Sequence, residues 1–255
     1  MDLPKVTRRS FLLASAAFPV GCEISRRGAE RGAPSPEVRQ PLAGQSWHYI
    51  KRDLFNGVLV DTQVDQVAAV GRTIDIDSHT ESDKDEQGSS PGTRSWLRKY
   101  FDHPRVGAAL PSEIQGPWGM VLVDPHWSQV QVYESPIPLW PTRLEPGWQV
   151  HIRSQYRTSE DGAGLAWEQT MKAEAWETIT VPAGQYKALR YKNFINFENG
   201  DVGRTNSVRR ETIWLAPEVG RWVARESGGT YYLDDSVIDT PYNESSYRWE
   251  LLGWT

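Results

Sequence analysis

From Val58 onward the chain is dominated by a period of two. Val58, Val60, Thr62 and Val64 alternate with Leu59, Asp61, Gln63 and Asp65, and Trp148, Val150, Ile152, Ser154 and Tyr156 alternate with Gln149, His151, Arg153, Gln155 and Arg157. Successive side chains of a strand point to opposite faces, so the second run reads as a half-buried strand. Shorter alternations recur at Gln129 to Tyr133, at Ile213 to Leu215, and at Tyr247, Trp249 and Leu251 against Arg248 and Glu250. Turn residues stand between them at Asn56-Gly57, Pro182-Ala183-Gly184, Asn199-Gly200-Asp201 and Pro217 to Gly220. The pattern predicts an all-β fold, an antiparallel meander forming a curved sheet or a barrel-like domain, with consecutive antiparallel strands over 179 to 227.

Two segments test that reading. Ser95 followed by Trp96, Leu97, Tyr100 and Phe101 has the spacing to cap and pack one or two helical turns, and a short helix is expected there. Leu165 to Trp176 is rich in helix formers, yet Met171, Ala173 and Ala175 alternate with Lys172 and Glu174, so a strand is expected. Gly44-Gln45-Ser46-Trp47 and Pro146-Gly147-Trp148 open similarly built stretches about a hundred residues apart. They suggest two related halves, 45–132 and 133–255; the rival reading is that strands often begin with Gly and Trp.

The first 22 residues follow other rules. Lys5, Arg8 and Arg9 precede the apolar run Phe11 to Phe18, which leads to Pro19-Val20-Gly21-Cys22. That is the layout of a cleavable signal over 1–21. T-R-R-S-F-L-L resembles the twin-arginine export motif, with Arg8 and Arg9 as the pair that an export receptor reads. Cys22, the only cysteine, follows a glycine at the end of the apolar run and resembles the lipidated cysteine of a bacterial lipobox, although Pro19 stands where a lipobox has leucine. The plain alternative is an ordinary signal peptide with an incidental cysteine. The resemblance implies a lipid anchor at Cys22, facing the periplasm, with the outer membrane favoured over the inner.

Composition and charge narrow the classes further. The 38% hydrophobic and 24% charged residues suit a folded globular domain, and no stretch approaches the roughly 20 apolar residues of a spanning helix. Cleavage after Gly21 removes one acid and three bases, taking the formal charge from −5 to about −7, which argues against a nucleic-acid partner. A lone cysteine excludes intrachain disulfides, so packing must hold the fold. Ser25 to Gly44 has almost no large apolar residue and reads as a disordered tether, placing 22–44 between the anchor and a β-rich periplasmic domain at 45–255. Glu81 to Arg94 has the same polar character and is expected to be a surface loop.

Three pieces between Pro136 and Ser227 carry a family likeness: P-I-P-L-W-P-T-R-L-E-P-G-W at 136–148, I-T-V-P-A-G-Q-Y-K-A-L-R-Y at 179–191, and T-I-W-L-A-P-E-V-G-R-W-V-A-R-E-S at 212–227. Their order resembles a module of uncharacterised bacterial envelope lipoproteins, with a V-P-A-G-x-aromatic hairpin and a W-x-A-P-x-V-G turn. The resemblance implies a β-rich exported domain and carries no catalytic residue to transfer. The same residues also have a plain physical reading: Pro182 fixes φ, Gly184 permits positive φ, and Val181 and Tyr186 pack across a tight turn.

Candidate chemistry is sparse. The five histidines have no zinc spacing, no G-x-S-x-G elbow or phosphate-binding glycine loop is present, and the sole cysteine lies in the signal, so no catalytic residue and no cofactor is assigned. Asp75, Asp77, His79, Glu81, Asp83 and Asp85 would share one face if extended, but Thr80 stands where a calcium loop needs glycine, so no metal is expected there. Glu168, Glu174, Glu177, Asp234 and Asp235 are candidates for a carboxylate pair that sequence cannot rank. Of twelve tryptophans, most belong to strands and a core; Trp118, Trp127 and Trp140, beside Gly or Pro near turns, are the candidates to face a ligand. The reading that follows is a non-enzymatic, lipid-anchored envelope protein that binds a glycan, a lipid or a partner protein. The alternatives are an envelope glycan hydrolase and a lipid or acyl carrier or assembly factor.

Overall fold

A computed structural model of the chain describes residues 36–71, 94–101, 112–125, 129–159, 162–200, 203–233 and 240–255. Every regular element among them is a strand: β1 Ser46–Asp53, β2 Leu59–Gly71, β3 Arg94–Phe101, β4 Glu113–Gln115, β5 Met120–Asp124, β6 Gln131–Pro138, β7 Gln149–Arg157, β8 Leu165–Val181, β9 Gly184–Glu198, β10 Arg204–Ala216, β11 Arg221–Leu233, β12 Tyr242–Asn243 and β13 Tyr247–Trp254. Strands β1 to β11 pair in chain order, β11 pairs with β13, and β13 returns to β1. The all-β meander therefore closes into a barrel of twelve strands, with β12 added beside β11. Closure satisfies the backbone groups that an open sheet would leave at its two edges.

The segment from Ile179 to Ser227 folds as its turn residues require, with β8–β9, β9–β10 and β10–β11 antiparallel throughout. β8 is a strand of 17 residues despite its helix formers. Trp167, Gln169, Met171 and Ala173 are buried at alternate positions, and the pairing of β8 with both β7 and β9 outweighs propensity.

The helix expected at Ser95 does not form. Residues 94–101 are strand β3, hydrogen-bonded to β2 and β4, with Ser95 and Leu97 buried. The aromatic spacing fitted a helix, but a helix here would leave the ladder groups of both neighbouring strands unpaired.

Two further features concern the ends of the domain. The packed structure begins before Gln45: Pro41 is buried, Val38 packs on the core, and Arg39 N–H donates to Pro217 O at 2.9 Å. Gly220, at φ 77°, is required at this contact, because a Cβ there would meet Arg39 O at 2.8 Å. The two Gly-Trp stretches also share one backbone device. Gly44 and Gly147 both have positive φ, and their N–H groups donate to Val67 O and Ala173 O, whose own N–H groups donate to Gln45 O and Trp148 O. Each recipient strand then bulges, between Val67 and Ala69 and between Ala173 and Ala175.

The outer wall carries charge in ion pairs, including Arg153–Glu168 at 3.1 Å and Arg190–Glu174 at 2.9 Å.

Candidate functional site

The interior of the barrel is closed by a tryptophan-rich apolar core at one end, while towards the other a layer of buried charge shares the lumen with a second apolar cluster that includes Tyr133, Ile137, Tyr156, Trp167, Ile195 and Phe197. At the first end, with the Val181–Gly184 and Ala216–Arg221 turns, Trp47 and Trp118 stack at 5.9 Å and Trp140 meets Trp118 edge-on at 5.6 Å. The indole N–H groups of Trp47 and Trp118 donate to Val219 O and Gly220 O, each at 3.0 Å. Val67, Leu97, Leu215 and Leu251 fill the space around them. Above this plug the Tyr49 ring lies 3.8 Å from the Trp222 ring, centroid to centroid, and its hydroxyl donates to Trp222 O at 3.0 Å. Burial drives the Tyr49 phenol well above its ordinary pKa range, so it stays a neutral donor.

Next along the axis is a layer of buried charge. Arg221 and Asp65 pair at 2.6 Å with exposures of 2% and 0%, and Gln63 Nε2 donates to the other Asp65 oxygen at 2.6 Å. Lys99 pairs with Glu113 at 3.0 Å, while Arg225 pairs with Glu211, which also accepts from Asn193 Nδ2 at 3.0 Å. Desolvation acts to raise the Glu211 carboxyl, and the Arg225 and Arg209 guanidinium groups with two hydrogen bonds overcome it, holding the pKa below the usual carboxylate range. For Lys99 desolvation lowers the amine, and Glu113, Asp124 and Asp65 more than restore it. These groups, together with Val121, Tyr133, Ile137, Trp167 and Ile195, surround a cavity of about 100 Å³, room for roughly three waters. Asn193 Oδ1, Arg221 Nε and Nη1, and Arg225 Nε have no hydrogen-bond partner on the protein.

The charged layer opens into a cleft of about 590 Å³ at the end where the β1–β2 turn and the Asn243–Ser245 segment lie. Its wall carries Lys51, Lys99, Arg204, Arg209 and Arg225 against Asp124 and Glu244. Lys51 Nζ sits 3.8 Å from the Tyr247 ring centroid and 5.2 Å from that of Trp249, and Arg225 lies 5.2 Å from the same Trp249 ring. Arg204 lies 4.1 Å from the Tyr231 ring. Glu244 holds Arg209 at 3.3 Å and Arg204 at 4.0 Å. The Lys51 amine is lowered from its ordinary range, first by desolvation and then by Arg225 and Arg209, against the pull of Asp61.

This site is built from residues the sequence reading did not single out. In β2 it is Gln63, Asp65 and Val67 that face the lumen, while Val58 and Val60 are 60% and 40% exposed. Polar residues in phase with buried apolar ones, Asp65 with Val67 and Glu211 with Ile213 and Leu215, were the available signal. Of the tryptophans put forward to face a ligand, Trp118 and Trp140 are 9% and 6% exposed, pack in the plug through the hydrogen bond and ring contacts above, and both also line a pocket of about 390 Å³ with Val38 and Arg143. Trp127 lies outside the described residues, as do Arg8, Arg9, Cys22, Asp234, Asp235 and the acidic run 75–85. Glu168, Glu174 and Glu177 are on the outer wall, Glu168 paired with Arg153 and the other two with Arg190. Among the described residues no group of three or more His, Cys, Asp or Glu is placed to hold a metal ion.

No protein-family model matches the chain, and no curated protein matches it. Two solved structures are similar at 12% identity. One, from Bacteroides fragilis, is provisionally described as an exported protein with a YmcC-like fold; the likeness covers 87% of this chain and 99% of that one, with a TM-score of 0.49. The other, from Parabacteroides distasonis, is provisionally described as a lipoprotein; the likeness covers 88% of this chain and 100% of that one, with a TM-score of 0.48. Those descriptions belong to those proteins, and likenesses at this level carry no argument about this one.

Proposed function

We propose that this chain is an exported binding protein of the bacterial envelope, anchored through a lipid on Cys22, which takes a polar envelope component into the open end of its barrel. The observation that supports it is the division of the interior. One end is sealed by tryptophans with hydrogen-bonded indoles, and the other is a cleft of about 590 Å³ walled by charged and aromatic side chains. That volume lies in the range of small-ligand sites, on the order of 300–1,000 Å³. An acyl chain needs an apolar lining, and the residues lining the cleft are charged, amide, hydroxyl or aromatic with no aliphatic side chain among them. A polar ligand is therefore favoured over an acyl carrier's cargo.

The test is native purification. Protein isolated from the envelope of its own host, with the export signal intact, is analysed by mass spectrometry for a lipid on Cys22 and for molecules released from the barrel on denaturation. A diacylated Cys22 and a hydroxylated or charged ligand are expected. Release of a stoichiometric fatty acid or intact phospholipid from the barrel would overturn the proposal.

A further inference from the structure

We infer that the open-end cleft is an oxyanion site: it takes a carboxylate or phosphate carried on a hydroxylated body of mono- to disaccharide size, with Lys51, Arg209 and Arg225 as the anion contacts. The inference rests on the polar-ligand reading and narrows it.

Lys99, Asp124 and Arg225 line both the cleft and the cavity beneath it. The cleft wall presents five cations against Asp124 and Glu244. Glu113 and Glu211, which balance Lys99 and Arg225, line the cavity beneath. Asp61 stands across the β1–β2 ladder from Lys51 and forms no ion pair with it. A ligand in the cleft thus meets more cations than carboxylates, with Glu113 and Glu211 in the cavity beneath.

The cationic heads are also held in place. Lys51 rests against Tyr247 and Trp249, and Arg225 shares the Trp249 ring. Ordering a long side chain costs affinity when it happens on binding, and these aromatic floors remove part of that cost beforehand. Lys51 makes no ion pair among the described residues, and Arg225 Nε has no hydrogen-bond partner on the protein. The Lys51 amine therefore has donor capacity to spend on a ligand. The repulsion of Lys51 by Arg225 and Arg209 is relieved by an anion set among the three.

The experiment is a calorimetric titration of the full chain with glucuronic acid, glucose 6-phosphate and glucose, at low and at high salt. At least one acidic sugar is expected to bind about tenfold or more tighter than glucose, with an advantage that shrinks as salt rises. The carboxylate and phosphate arms identify the oxyanion. Lys51→Met, and separately Arg209→Met, should remove most of that advantage. Glucose binding as tightly as both acids, or both variants keeping the full preference, would overturn the inference and leave the polar-ligand reading standing. If none of the three sugars binds and a fatty acid does, both fall.

Discussion

The buried Arg221–Asp65 pair is the most demanding contact in the barrel, and its loss can be estimated. Asp65 is fully buried and accepts from Arg221 and from Gln63, each at 2.6 Å. Asp65→Asn keeps the shape, removes the charge, and leaves Arg221 buried at 2% exposure without its partner. Breaking one side of such a pair costs about 3–5 kcal/mol. Glu113 also acts on Arg221, so the lower part of that range, about 3 kcal/mol, applies here. For a domain of this size that corresponds to a fall in Tm of roughly 6–12 °C, or about 1–2 M in the urea midpoint for an m-value near 2 kcal/mol/M. Equilibrium urea unfolding followed by tryptophan fluorescence measures it. The double variant Asp65→Asn with Arg221→Met removes both charges and should recover at least half of the loss, since an apolar side chain can stand in for a buried ion pair. A single variant that loses less than about 1 kcal/mol, or a double variant no more stable than the single, would refute the reasoning.

Other outcomes follow from the same features. Because the Glu211 carboxyl is depressed in the folded state, its contribution is present above the unfolded carboxylate pKa of about 4.3 and is lost as pH falls through the lower folded value. Glu211→Gln should therefore be less stable than the parent at neutral pH and should show a shallower loss of stability below about pH 4.3 in acid unfolding curves. Lys51 is the opposite case: its folded pKa is lowered, so its charge opposes folding at neutral pH and that opposition fades as pH rises towards the unfolded value. Lys51→Met is expected to be at least as stable as the parent in the same urea assay, even as the acidic-sugar preference is lost. Cys22→Ala should release the exported protein from the membrane fraction or block its processing, whereas Arg8→Lys with Arg9→Lys should hold the precursor in the cytoplasm, as fractionation and immunoblotting would show.

Much of the architecture was legible because it is local. The Val181–Gly184 hairpin carries its proline and glycine where a tight turn needs them, and β8 shows its period of two in Trp167, Gln169, Met171 and Ala173 despite helix-forming neighbours. The strand at Arg94–Phe101 was not legible, because its aromatic residues also fit a helix and its pairing with β2 and β4 is tertiary. The site was hidden for a related reason. Alternation assigns the polar phase to water, but a closed barrel has a second polar surface inside, and only closure reveals which phase faces it. Arg221 and Asp65 are 156 positions apart and become partners only when β11, β13 and β1 complete the ring. Trp118 and Trp140 pack in the plug and also line a pocket of about 390 Å³, an arrangement set by tertiary contacts that alternation along the chain does not show.

Ligand is expected to enter the open, charged end of the barrel and to leave the tryptophan plug alone. Nitrogen-15 labelling of the indoles separates the two ends in one spectrum, since Trp249 borders the cleft while Trp47 and Trp118 donate to Val219 O and Gly220 O in the plug. On titration with glucose 6-phosphate or glucuronic acid, the Trp249 indole signal should move saturably while those of Trp47 and Trp118 stay fixed. Saturable binding that shifts Trp47 and Trp118 and leaves Trp249 unmoved would contradict it.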